Sequence, residues 1–175
     1  MSELAQVTRH AARGMITFRG DLAAAKVKKM VKDVTSQTMP KAGEMRGTGD
    51  TGVAWMSPDE LLLMVAYDDV AATLDKIASA LPGVHHLAVD VSDARAVFTL
   101  QGPDARQVLS RLCPVDLHAD SFELGQFRRT RMAQIAAAFW CHDGGFDVVC
   151  FRSVGDYAER LLRNAATGAP VPVLG

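Results

Sequence analysis

The apolar and polar positions of this chain keep two rhythms, and the same series of rhythms is written twice. Residues 14–19 form a short apolar run that predicts a strand. Asp21 then stands where a helix N-cap would. After it Ala23, Val27, Met30, Val31 and Val34 recur at helical spacing, with Lys26, Lys28, Lys29 and Lys32 on the remaining face. Residues 36–52 are polar and glycine-containing, and predict a loop. Residues 52–56 and 60–67 predict a hairpin, because Ser57-Pro58-Asp59 between them is a strong turn signal. Val70, Leu74, Ile77, Ala78 and Leu81 then trace a second helical face, capped by Asp68 or Asp69 and ended by Pro82-Gly83. Residues 85–91 predict a closing strand.

The second series begins with a strand over 95–101. Pro103 fits the first turn of a helix whose face is Ala105, Val108, Leu109 and Leu112, and Cys113-Pro114 stops it. After a loop over 115–126, residues 127–141 read as a long extended stretch broken near Ala133. His142-Asp143-Gly144-Gly145 turns the chain into a strand over 146–152. Ser153 caps a final helix with Val154, Tyr157, Ala158, Leu161, Leu162 and Ala165 inward. Ile16-Thr17-Phe18-Arg19-Gly20-Asp21 is echoed by Phe98-Thr99-Leu100-Gln101-Gly102-Pro103-Asp104. Trp55 to Val65 is echoed by Trp140 to Cys150, which sets Trp55 and Trp140 at equivalent places. The expected fold class is α+β: two pseudo-repeated βαββα(β) lobes, over 14–92 and 93–166, packed as one compact domain about a pseudo-twofold axis. Residues 1–13 and 167–175 are expected to be flexible termini.

Composition bounds the function. The chain has 175 residues, 49% hydrophobic and 22% charged, which is globular composition, and its net charge of −1 argues against binding nucleic acid by bulk electrostatics. Every lysine falls at or before Lys76, so the second half is cationic only through arginine, the residue suited to interfaces and carboxylate pairing. The first ten residues lack an apolar signal core, the longest apolar runs are strand-length, and three cysteines cannot all pair within one chain. A reducing, cytoplasmic setting is the default expectation.

Candidate chemistry is sparse. The cluster Gly47-Thr48-Gly49-Asp50-Thr51-Gly52 precedes a strand and lacks the Gly-Lys-Ser/Thr of a phosphate loop, so a flexible loop is the simpler reading. Cys113, Cys141 and Cys150 have no metal-ligand spacing, although Cys141 and Cys150 flank one hairpin turn; buried, inert thiols account for them. His85 and His86 are adjacent, so on a strand they face opposite ways. Arg129 and Arg131 share a strand face, with Arg128 on the other. They could hold a carboxylate or an anionic partner surface, or simply guard a sheet edge. Trp55, Phe127, Phe139, Trp140 and the Pro-Val-Pro-Val tail are candidate partner contacts, against core packing as the alternative. No catalytic residue and no metal ligand is expected.

The stretch from Val89-Asp90-Val91-Ser92-Asp93 through Gly102-Pro103-Asp104-Ala105 to Leu109 resembles the folate-binding fold of the aminomethyltransferase (glycine-cleavage T-protein) group. Trp55 with Ser57-Pro58-Asp59-Glu60-Leu61-Leu62-Leu63, then Cys113-Pro114-Val115-Asp116-Leu117, then Phe151-Arg152-Ser153 narrow the resemblance to the gamma-subunit family of heterotetrameric sarcosine oxidases. The resemblance implies a non-catalytic accessory subunit of an oxidoreductase complex in sarcosine catabolism. Such a complex demethylates sarcosine to glycine, releasing peroxide and formaldehyde or methylene-tetrahydrofolate. It also implies larger flavoprotein subunits as partners, with FAD, FMN, NAD and tetrahydrofolate held on those subunits and none by this chain alone. Gly125-Gln126 is followed by Phe127, so the Lys-Gly-Cys-x-x-Gly-Gln-Glu signature of folate-dependent relatives is missing. The alternative is a free-standing folate-binding protein in which Arg129 and Arg131 pair with the tail carboxylates.

Overall fold

The computed structural model describes residues 4–168. They form two compact units: one of residues 12–93, the other joining the residues up to Ala11 with those from Ala94 onward. The sequence C-terminal to residue 168, including the Pro-Val-Pro-Val tail, lies outside the described residues.

In chain order the strands and helices are β1 (Gln6–Arg9), β2 (Gly14–Gly20), α1 (Ala25–Thr35), β3 (Met45–Gly47), β4 (Gly52–Ser57), β5 (Glu60–Val65), α2 (Val70–Ala80) and β6 (His86–Asp90). They continue with β7 (Arg95–Gln101), α3 (Ala105–Ser110), β8 (Phe127–Met132), β9 (Ile135–His142), β10 (Gly145–Phe151) and α4 (Gly155–Ala166).

In the 12–93 unit the strand order is β3-β4-β5-β2-β6, and every pairing is antiparallel. Ile16, Phe18, Val53, Leu61, Leu63 and Val65 point from this sheet into a core closed by Val27, Met30 and Val31 of α1 and Val70 and Ile77 of α2. The periodicity of α1 therefore does what it predicts. Its start differs: Ala24 is the N-cap, while Asp21 Oδ1 accepts from the Ala23 N–H at 2.9 Å in the turn before it. β5 is buried at all six positions, Glu60 to Val65, which is why it reads as an apolar run and not as an alternation.

The other unit has the order β1-β7-β10-β9-β8, again antiparallel throughout. Its core joins Phe98, Leu100, Phe139, Phe146 and Val148 of the sheet to Val108, Leu109, Ala158 and Leu162 of α3 and α4. Read from β8, this is the same strand order as its counterpart, with β7 in the place of β2 and β1 in the place of β6. The fifth slot is filled from the front of the chain, not from the end.

Two expectations are corrected here. Residues 1–13 are not simply a flexible lead-in: β1 pairs with β7 from Gln6↔Gln101 to Arg9↔Phe98, and the Leu4 N–H donates to the Ala166 carbonyl at 2.8 Å. The loop read over 36–52 also contains β3. Gly47 closes its turn at φ +96, where a Cβ would lie 2.4 Å from the Thr51 carbonyl oxygen. The break read near Ala133 is a hairpin turn between β8 and β9, with Ala133 itself at φ 51.

Candidate functional site

The unit that carries β1 buries polar groups on the sheet face turned away from its helices. Register sets Thr8 beside Thr99, Thr99 beside Asp147, Asp147 beside Trp140, and Trp140 beside Phe127, so these five form one cross-strand row. Asp147 is 5% exposed and accepts a hydrogen bond from Thr99 Oγ1 at 2.5 Å. His10 Nε2 lies 2.6 Å from the same hydroxyl oxygen. With its one proton donated to the carboxylate, that oxygen can only accept, which fixes the proton of His10 on Nε2.

His142 completes the group from the end of β9. Its Nδ1 lies 2.8 Å from the Asp143 carbonyl, an acceptor, so the ring donates there. Its Nε2 is buried without a hydrogen-bond partner, 3.6 Å from Asp147 Oδ1. A neutral ring with this tautomer turns a lone pair toward a carboxylate; a doubly protonated ring would make an ion pair of the same approach. The arrangement is His10–Thr99–Asp147–His142: a buried acid held by a hydroxyl that also meets one imidazole, with a second imidazole beside the carboxylate.

His142 also borders a concavity of about 440 Å³ whose walls include Pro103, Arg106, Leu124, Cys141 and Phe146. Arg106 is committed to its own fold. One terminal nitrogen donates to the Leu117 carbonyl at 2.9 Å and the Phe122 carbonyl at 2.8 Å, and the other approaches Cys141 Sγ at 3.4 Å. Its guanidinium also sits 5.3 Å from the Phe146 ring centroid. It ties the 115–126 loop to the β9–β10 hairpin. Burial pushes the Cys141 thiol up, against the pull of Arg106, and burial alone pushes Cys113 up to about 12. These are protonated, poorly nucleophilic thiols at neutral pH. All three cysteines are free, and register places Cys141 opposite Phe146 but Cys150 opposite Ala137, too far along the ladder to meet.

The other candidates fall as follows. Arg129 and Arg131 lie on the edge strand β8, opposite Ala138 and Ala136, both exposed, and neither borders the concavity. Arg128 turns to the other side, its guanidinium 6.0 Å from the Phe122 ring centroid. His86 Nδ1 donates locally to the Val84 carbonyl, 2.8 Å away, and the ring stacks on Phe18. Phe127, Phe139 and Trp140 are 2%, 0% and 1% exposed, so for them core packing is the outcome. Among the described residues no group of three or more His, Cys, Asp or Glu is placed to hold a metal ion, and no helix is long and apolar enough to cross a membrane.

Sequence reasoning missed the Asp147 group. The signal was present: Asp147 is the one charge inside the run Phe146–Phe151, and its register counterpart in the other unit is Leu62, which pairs with Thr17 as Asp147 pairs with Thr99. The expected equivalence of Trp55 and Trp140 is also corrected. A bulge lies between Trp55 and Ser57, so Ala54, opposite Leu62, occupies the place of Trp140. One inserted residue turns Trp55 to the other side of its strand, where it is only half-buried.

Comparison with known proteins gives this architecture a family. The chain is 37% identical, over 61% of its own length and 52% of the relative's, to the sarcosine oxidase subunit gamma of Corynebacterium sp. strain U-96; it thus spans about half the length of that curated relative. A solved chain of heterotetrameric sarcosine oxidase from Corynebacterium sp. U-96, in complex with pyrrole 2-carboxylate, superposes with a TM-score of 0.85 at 26% identity, over 98% of this chain and 90% of that one. The glycine cleavage system aminomethyltransferase T of Bartonella henselae shares the fold, with a TM-score of 0.67 at 14% identity, over 91% of this chain and 45% of that one. Residues 19–168 match the sarcosine oxidase, gamma subunit family, and the chain belongs to it.

Proposed function

We propose that this chain is a non-catalytic accessory subunit of a heterotetrameric sarcosine oxidase, cytoplasmic, and seated against larger flavoprotein subunits. The observation that carries this is the likeness to a chain of that complex over 98% of the present one. The complex would demethylate sarcosine oxidatively, with FAD, FMN, NAD and tetrahydrofolate on the larger subunits.

The candidate residues described above suit those groups poorly, which supports assigning them to other subunits. The guanidinium bordering the concavity, Arg106, is already bonded to two carbonyls and approaches a sulfur, so it is poorly placed for a phosphate or a folate carboxylate. Asp147 is turned to Thr99 in the sheet. Arg129 and Arg131, exposed on a sheet edge, suit an acidic surface of a partner better than a small ligand. The free-standing folate-binding reading has less behind it, because the aminomethyltransferase likeness is one of fold.

The test is co-expression of the tagged chain with the larger subunits of the same organism. A yellow flavoprotein that co-purifies, and that loses stability or peroxide production from sarcosine when this chain is left out, is the expected result. A fully active enzyme assembled without this chain would refute the proposal.

A further inference from the structure

Strand β6 ends its sheet, pairing with β2 alone. The Val91 N–H donates to the Met15 carbonyl at 2.9 Å, which sets the phase of the ladder. Antiparallel pairs alternate, so Val89 and Leu87, opposite Thr17 and Arg19, turn their backbone groups toward β2. His86, Ala88 and Asp90 turn theirs outward. The side chains of Leu87 and Val89 share one face, 51% and 41% exposed. They are two of the six exposed large hydrophobic residues among those described, and they are the two that lie two residues apart on one strand.

The other sheet ends are protected by means β6 lacks. β8 carries Arg128, Arg129 and Arg131 within six residues, while β1 and β3 have only four and three residues. β6 has five residues, no lysine, arginine or proline, and a single acid, Asp90, whose carboxylate accepts from the Ser92 N–H and hydroxyl. An outward row of main-chain donors and acceptors beside two exposed aliphatic side chains has a definite complement. It is an extended, uncharged segment that adds a strand and lays apolar side chains beside Leu87 and Val89.

We infer that β6 is the edge on which a larger subunit of the oxidase docks an extended segment, making a sixth strand of this sheet. This rests on the accessory-subunit proposal, which supplies the partner: a heterotetrameric complex contains at least one chain unlike this one, and the larger subunits are the neighbours proposed above. Charge on that face would reject the segment without touching the ladder to β2.

The experiment uses the tagged chain co-expressed with the larger subunits, as wild type, as Leu87→Lys with Val89→Lys, and as Arg129→Glu with Arg131→Glu. The wild-type chain should retain the flavoprotein, and the β6 variant should retain it at least about tenfold less at an unchanged melting temperature. In the wild-type complex the Ala88 and Asp90 amides should exchange with deuterium at least about tenfold more slowly than in the free chain. Equal retention by wild type and β6 variant, with those amides exchanging as in the free chain, overturns the inference and leaves the accessory role standing. A wild-type chain that retains no larger subunit overturns both. If light scattering shows the isolated wild type to be a dimer and the β6 variant a monomer, while capture of the flavoprotein is unchanged, the edge serves a second copy and the inference is wrong. Loss of capture confined to the β8 variant would place the contact on the arginine edge instead.

Discussion

The 12–93 unit and the unit built from both ends of the chain share one strand order, yet they complete it differently and fill it differently. In the first, the fifth strand follows the last helix directly; in the second it is β1, which precedes the whole repeat. β1 needs anchors that β6 does not. Arg9 donates to Asp156 at 2.7 Å and to Glu159 at 3.1 Å on α4. At matching register the first unit has Thr17 with Leu62 and Ala54, whereas the second has Thr99 with Asp147 and Trp140. Hairpin ends differ too: Arg19 pairs with Glu60 at 2.9 Å, while the counterpart of Glu60 is Gly145, whose Cβ would lie 2.0 Å from the Leu100 carbonyl oxygen. A shared topology thus tolerates exchange of an apolar for a polar row, in which Asp147 and Thr99 satisfy each other.

The sharpest way to break this comparison is to exchange the two rows. Leu62→Asp places a carboxylate opposite the Thr17 hydroxyl but beside Ala54 and with no counterpart of His142, and should cost about 5 kcal/mol in urea unfolding. Asp147→Leu removes the acceptor of Thr99 and should cost only about 2 kcal/mol. Equal losses would mean that the two faces are not distinct environments.

The two tryptophans come next. Trp140, buried and stacked with Phe127 at 6.4 Å between centroids, should cost about 4 kcal/mol as Trp140→Ala. Half-buried Trp55 should cost about 1 kcal/mol as Trp55→Ala. A loss at Trp55 as large as at Trp140 would restore their equivalence and contradict the bulge. Gly145→Ala forces the β10 backbone away from Leu100 and should cost about 2–3 kcal/mol, measured the same way.

Acid distinguishes the two fifth strands more gently. Hydrogen bonding from Arg9 holds the Asp156 carboxyl below its ordinary range, and hydrogen bonds from Arg163 and then Arg9 do the same for Glu159. A depressed folded-state pKa gives stability that is present above the unfolded value and lost as pH falls through the folded one. The β1 amides should therefore keep their protection above about pH 4.5 and lose part of it below that, while β6 amides, with no such anchor, change less. Parallel loss in both strands would remove the special role of Arg9. The smallest effect is one of rate. All three cysteines lie in the unit from Ala94 onward and all three thiols are raised by burial, so alkylation near pH 8 should be slow and should report the opening of that unit alone. Rapid labelling of Cys113 in the folded chain would contradict its burial.

Much of this was legible in the chain. The apolar stripe of α1, the Pro58-Asp59 turn, the break at Ala133 and the run Leu61–Val65 each follow from a local rule, because helix faces, turns and doubly buried strands leave their period in the sequence. β1 left none: of Gln6, Val7, Thr8 and Arg9 only Val7 is buried, and its partner β7 begins 86 residues after β1 ends, from Arg9 to Arg95. β3 is too short to show a period. The Asp147 group joins residues from β7, β9 and β10 with His10, which follows β1, and no spacing in sequence announces such a meeting.

By itself, then, the sequence determined the element order of the repeat, its α+β class and its likeness to the gamma-subunit family, since these rest on local periodicity and on motifs read in order. Only the tertiary structure decided which strand fills the fifth slot, which way Trp55 turns after its bulge, and that Asp147 meets Thr99, His10 and His142. Those outcomes depend on register between distant strands, where a one-residue slip exchanges the two faces of a sheet.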